Sequence, residues 1–191
     1  MVFTTNKLIK APFQANNMQK RILNIGCGNS SYGTDRIDLY KTATTTKVVN
    51  IEKGLPYSAN TFDEIYCKCI LEHVKNLGNF IDECYRVLKK GGKIWIRTDY
   101  AGYLPFHLLK NYEHNKILET HYEGSTGFGH HQNEDAHYHL FVESHLRKLF
   151  KKFNNLGFNY FYGGRNFIIN FIARLLPKKL GAIHIEMEAY K

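Results

Sequence analysis

At 191 residues and 22.3 kDa the chain has the length of one compact domain. It is 43% hydrophobic and 23% charged, which excludes fibrous, collagen-like, mucin-like and disordered classes. Twenty-six Lys and Arg against seventeen Asp and Glu give a formal +9, so an anionic partner is expected: nucleic acid, an acidic or phosphorylated substrate, or a membrane surface.

In chain order, RILNIG (21–26) reads as a buried strand ending in glycine. TDRIDL (34–39) and TKVVNI (46–51) follow as strands with little room for helix between them, and FDEIYC (62–67) continues the series after the turn material LPYSANT. Residues 76–90 are predicted helical: Phe80, Ile81, Cys84, Tyr85, Val87 and Leu88 recur at helical spacing, and Lys89, Lys90 and Gly91 close the end. KIWIRTD (93–99) is the next strand. A helix over 104–119 then precedes the Gly- and His-rich EGSTGFGHHQNEDAHYH (123–139), which has the composition of a lid or substrate loop. A basic amphipathic helix over 142–155, a strand FNYFYG (158–163), an apolar-basic helix over 165–179 and an alternating strand AIHIEMEAY (182–190) complete the chain. Strands interleaved with helices predict an α/β sheet fold.

The four cysteines, Cys27, Cys67, Cys69 and Cys84, lack the paired spacing of a zinc site and read as reduced thiols in a cytoplasmic protein. No apolar run reaches about 18 residues; the nearest, 167–176, is broken by Asn170 and Arg174, so a soluble protein is expected. Eight of the ten histidines fall between His107 and His145, yet HHQNEDAHYH has no recognised metal-ligand spacing and no metal is expected.

The informative unit is ILNIGCGNS (22–30), a buried strand that runs into a Gly-x-Gly loop. Glycines there let backbone approach a ligand that a Cβ would exclude. A dinucleotide fingerprint requires a third glycine where this chain has Ser31, which removes most support for a nicotinamide or flavin enzyme. Asp38, at the end of the second strand, is placed to accept hydrogen bonds from two ribose hydroxyls. A turn acid or helix cap is the second-ranked reading of the same residue.

Taken in order, NIGCG, RIDL, VVNIEKGLPYSANTFDEIYCKCILEHV and CYRVLKKGGKIWIRTDYA resemble the class I S-adenosylmethionine-dependent methyltransferases over residues 21–101. The resemblance implies a Rossmann-like, mostly parallel seven-stranded sheet with an antiparallel last strand. S-adenosyl-L-methionine is the implied cofactor, with Gly26, Cys27, Gly28 and Asn29 under its methionine part, Asp38 on the ribose and Leu39 beside it. Asn50 stands where the family reaches the adenine amino group, with the Ile51 amide facing a ring nitrogen; Cys67, Cys69 and Leu71 line the cofactor's edge, with His73 close behind. The chain resembles in particular small predicted methyltransferases with an LEH motif, a short link between the first two strands and a segment like HYHLFVESHLRKL (137–149). Only seven residues, 29–35, separate the glycine loop from RIDL, so the first helix is expected to be reduced or missing.

Methyl transfer from a sulfonium needs in-line placement, and a general base only for hydroxyl-like acceptors. Asp99 and His137 are the first candidates for that base, ahead of Tyr100, His130, His131 and His139. Cys67 and Cys69, spaced to share one strand face, read first as inert core thiols rather than reactive ones, and His73 also reads as a residue that caps or packs at the helix start. The domain is expected to be single over 1–191, with a lid or substrate insertion at about 100–138 and a helical insertion at about 165–181.

The expected acceptor is a small molecule, a glycan, a lipid-linked group or another anionic acceptor. The alternatives are an RNA methyltransferase, or a non-catalytic protein binding through its basic C-terminal face. The four isolated prolines provide neither the Pro-Pro-aromatic loop of base amino methylation nor a Pro-Cys nucleophile, which demotes the nucleic-acid reading. Residues 141–191 carry nine Lys and Arg against three Asp and Glu, so most of the excess charge lies away from the cofactor motifs and a membrane-surface contact there is also conceivable.

Overall fold

A computed structural model describes residues 20–104, 138–162, 171 and 173–191. Seven strands form one sheet: β1 (Ile22–Ile25), β2 (Asp35–Asp38), β3 (Lys47–Val48), β4 (Phe62–Lys68), β5 (Leu88–Asp99), β6 (Asn154–Phe161) and β7 (His184–Tyr190). Their spatial order is β3-β2-β1-β4-β5-β7-β6, with β7 antiparallel to both neighbours and the remaining pairs parallel. Helices among the described residues include α1 (Leu77–Val87), α2 (Glu143–Leu149) and α3 (Lys178–Gly181).

Alternation along the strands assigns the two faces. Leu23, Ile25, Ile37, Ile65, Cys67, Ile94, Ile96, Ile185, Met187 and Ala189 point to one side, where Phe80, Ile81, Cys84 and Val87 of α1 and Leu146 of α2 complete the main core; Tyr103 and Ala173 form a small second cluster. The other face carries Asn24, Glu64, Tyr66, Lys93, Trp95, Arg97, Glu186 and Glu188, and among the described residues no helix covers it.

The link after β1 shapes that face. Residues 26–34 contain no helix and return along the sheet to start β2. Gly33, at φ +92, presses so closely on β1 that a Cβ there would lie 3.1 Å from the Ile22 carbonyl, and Asn24 donates its amide to the Tyr32 carbonyl at 3.0 Å. An extended link thereby takes the place of a crossover helix. It also lays Tyr32 against Tyr66 at 4.8 Å; Tyr66 stacks on Trp95 at 4.5 Å and 6°, and Arg97 lies over both Trp95 and Phe161. The charges between the rings are paired, Arg97 with Glu186 and Lys93 with Glu188 at 3.2 Å, while the Tyr32 hydroxyl donates to Glu64 at 2.8 Å.

Three element boundaries differ from the sequence reading. Helix α1 ends at Val87, because fully buried Leu88 turns extended and pairs with Phe62; Lys89 to Gly91 then open β5 instead of closing the helix. Helix α2 stops at Leu149, and the chain from Asn154 joins β7 as β6. Near the C-terminus, Phe171 and 173–175 are helical, Pro177 follows, and α3 is a separate short turn. The 104–119 helix and nearly all of the 123–139 loop lie outside the described residues.

Candidate active site

The carboxyl ends of β1 to β4 meet around a cleft of about 310 Å³, within the size range of small-molecule sites. Gly26 comes from β1, Asp38, Leu39 and Tyr40 from β2, and Val49, Asn50, Ile51 and Glu52 from β3, while Ile70, His73 and Lys75 follow β4. Four separate strand ends converge at the point where neighbouring connections depart in opposite directions, the place open α/β sheets reserve for ligands.

Gly26 is required here twice over. It holds φ +66, and a Cβ would sit 1.9 Å from Cδ1 of Ile70. Gly28, at φ +50, is braced on both sides: its N–H donates to Oδ2 of Asp38 at 2.8 Å, and its carbonyl accepts from the hydroxyls of Thr42 (2.5 Å) and Thr44 (2.8 Å). Thr42 and Thr45 hydroxyls meet at 2.7 Å, and buried Thr45 lies 3.6 Å from the Cys27 sulfur. The β2–β3 loop therefore clamps the glycine loop. Asp38 also accepts from Tyr40 N at 3.1 Å, so each of its oxygens holds one backbone amide and keeps acceptor capacity toward the cleft.

Of the sequence-derived cofactor residues, Gly26, Asp38, Leu39, Asn50 and Ile51 line this cleft. The Asn50 side-chain Oδ1 already accepts from Glu52 N at 3.0 Å, capping the 3-10 turn Ile51–Lys53. Gly28 and Asn29 continue the loop beyond Gly26. Cys67 and Leu71 are wholly buried and Cys27 nearly so, which puts their side chains in the core and not on the cleft wall. Ile70 covers Gly26 and lines the cleft, whereas the half-buried Cys69 is not part of its lining. Burial first, then Glu72 and Asp99, push the Cys69 thiol up to about 12, and burial likewise raises Cys67 and Cys84. These thiols are protonated at neutral pH.

Sequence reading missed Tyr40, Val49, Glu52, Ile70 and Lys75 in the cleft. Glu52 accepts from Lys75 N at 2.6 Å and from Asn76 N at 3.3 Å, tying the β3 end to the start of α1. A signal existed for four of them, since Tyr40, Val49, Glu52 and Ile70 lie within four positions of a strand terminus; Lys75, just before α1, had none.

Beyond the β5 end, Asp99 is buried at 7% exposure and pairs with Nε2 of His184 at 3.3 Å across the β5–β7 register. Its neighbour Thr98 donates to the fully buried Glu72 at 2.7 Å. The Glu72 carbonyl in turn accepts from Tyr138 N and His139 N, strapping 138–139 over the turn Leu71–His73. Tyr100 packs edge-on against Tyr160 at 5.2 Å. His130, His131 and His137 lie outside the described residues. Among the described residues, no three His, Cys, Asp or Glu gather as a metal site, and no helix is long and apolar enough to cross a membrane.

The strand order and the cleft at its switch point define the class I S-adenosylmethionine-dependent methyltransferase fold. Residues 23–96 match the family model described as a methyltransferase domain. A structure described as a SAM-dependent methyltransferase from Archaeoglobus fulgidus superposes with TM-score 0.58 at 17% identity, covering 90% of this chain and 86% of that one. Phosphoethanolamine N-methyltransferase 2 of Haemonchus contortus, solved with S-adenosyl-L-methionine, gives 0.60 at 16% identity, covering 90% and 48%. Among curated proteins, the mitochondrial ubiquinone biosynthesis O-methyltransferase of Mus musculus is 42% identical over 52 residues, which span 27% of this chain and 14% of that protein.

Proposed function

We propose that the protein is an S-adenosylmethionine-dependent methyltransferase with a small-molecule acceptor. The observation that carries this reading is the convergence of Gly26, Asp38, Asn50 and Ile51 on one cleft from three strand ends. The residues suit the cofactor: Asp38 is oriented by two backbone amides and keeps acceptor capacity for a pair of hydroxyls, and Leu39, Val49, Ile51 and Ile70 offer apolar walls for a flat base. When bound there, S-adenosyl-L-methionine supplies a methyl already made electrophilic by its sulfonium. The chain's task is then to position the acceptor in line and, for a hydroxyl, to take its proton.

Asp99, held by His184 at the β5 end, is the candidate proton acceptor; the companion role read for His137 concerns the 100–138 segment, which this reading makes the acceptor-side lid of a single domain. The names of the matched proteins, one in ubiquinone biosynthesis and one acting on phosphoethanolamine, favour a small or lipid-linked acceptor over RNA.

Calorimetry with S-adenosylhomocysteine tests the core of the reading. Binding is expected, with Asp38→Ala weakening it roughly 10- to 100-fold through the lost hydrogen bonds of a charged acceptor. No binding at millimolar ligand overturns it. With a dihydroxybenzoate as trial acceptor, Asp99→Asn is expected to lower kcat about 100-fold or more while leaving cofactor affinity unchanged.

A further inference from the structure

Residues 144–185 contain eight Lys and Arg and no Asp or Glu. Within this acid-free stretch are the two most exposed large hydrophobic side chains among the described residues, Leu175 at 73% and Phe171 at 59%, with Leu180 at 42% close by. Phe171 and Leu175 lie four residues apart on helical backbone and so stand one above the other on one face. The inner side of the segment is pinned. Ala173 is buried and so close to α3 that a Cβ on Gly181 would fall 2.0 Å from the Ala173 carbonyl, and the Tyr162 hydroxyl donates to the Leu176 carbonyl at 3.2 Å. Rotating the apolar pair inward would require breaking that contact.

Two of the cations around the pair are left unpaired by the described residues. Arg174 and Lys178 are exposed and make no ion pair among the described residues, and Lys179 touches Glu143 at 3.2 Å while its side chain stays 66% exposed.

We propose that this surface docks on a bilayer containing anionic phospholipid, with Phe171 and Leu175 entering the headgroup–acyl boundary and Arg174 and Lys178 meeting the lipid phosphates. Exposed apolar side chains flanked by cations, with no acid in the stretch, match the amphipathic surfaces that bind such membranes. Long cationic side chains can keep their charge at the interface while their stems lie along apolar surface. A protein partner fits less well, because lysine is depleted from protein interfaces. RNA fits less well too: Leu175 and Leu180 have no π face on which a base can stack. The inference is independent of the methyl-transfer reading.

Flotation of the full chain with vesicles tests it, using phosphatidylcholine alone and phosphatidylcholine with about 30 mol% phosphatidylglycerol. The wild type is expected to float with the anionic vesicles and not the neutral ones, and to be released at about 0.5 M salt. Arg174→Glu/Lys178→Glu and, separately, Leu175→Ser should each lower the bound fraction at least fivefold with an unchanged circular dichroism spectrum; Leu175 is exposed enough for its substitution to leave folding intact. Absence of vesicle binding by the wild type, equal binding by the variants, or loss of a short single-stranded RNA complex instead of a vesicle complex in the same variants overturns the proposal.

Discussion

Asp38 and the threonines of the β2–β3 loop hold the glycine loop from opposite sides, and their roles separate experimentally. Thr42→Val/Thr44→Val removes both donors to the Gly28 carbonyl, at about 1 kcal/mol per hydrogen bond. A loss of about 2 kcal/mol in urea unfolding is expected, with S-adenosylhomocysteine affinity down several-fold but less than in Asp38→Ala. An unchanged affinity would show that the clamp stabilises the loop without shaping the cleft. The thiols give a second residue-scale prediction. With burial holding Cys67, Cys69 and Cys84 well above neutral, a thiol reagent at pH 8 should label none of them rapidly until the chain is unfolded. Asp38 was legible in the sequence because a carboxylate after a second strand has a strong positional prior. The threonines were not: KTATTT reads as ordinary loop, and the groups they serve are 14 and 16 residues away along the chain.

At the scale of elements, the strands were the legible part, since glycine punctuation and alternation are local signals. Helix ends were less so. Lys89, Lys90 and Gly91 look like a helix terminus, but burial of Leu88 against Phe62 is a tertiary demand that overrides them. The same tension makes Gly26 a sensitive position. Gly26→Ala combines a left-handed backbone cost of about 1–2 kcal/mol with a collision against Ile70, so a loss of roughly 2–4 kcal/mol in thermal or urea unfolding is expected. Helix α2 is fastened to β6 and α3 through Glu143, which accepts from the Tyr160 hydroxyl and pairs with Arg147 and Lys179. The Tyr160 bond first, then Arg147, hold its carboxyl down to about 2 from an ordinary 4.5. A depressed carboxylate stabilises the fold fully above its unfolded pKa, and that contribution is lost as pH falls through the folded one. Between about pH 4.5 and 2 the wild type should therefore lose stability faster than Glu143→Gln, which is expected to be less stable at pH 7 and to converge with it in acid.

Across the whole molecule, the +9 charge divides into a near-balanced sheet region and a basic C-terminal stretch. The sequence located that division, but could not say which cations the fold consumes. The missing crossover helix was legible as a seven-residue gap; that an extended link, stacked rings and paired charges would occupy that sheet face was not, because Tyr32, Tyr66, Trp95 and Arg97 meet only in the assembled sheet. Replacing Tyr66 by Leu should cost about 1 kcal/mol beyond any change in buried area, as aromatic pairs of this geometry do. The stack also makes the protein its own optical gauge. Trp95 is the chain's sole indole and lies parallel to Tyr66 on the adjoining central strand, so emission excited at the red edge of tyrosine absorption comes from one position in the middle of the sheet. A fluorescence transition that precedes the far-ultraviolet dichroism transition would then show β4 and β5 parting before the helices melt.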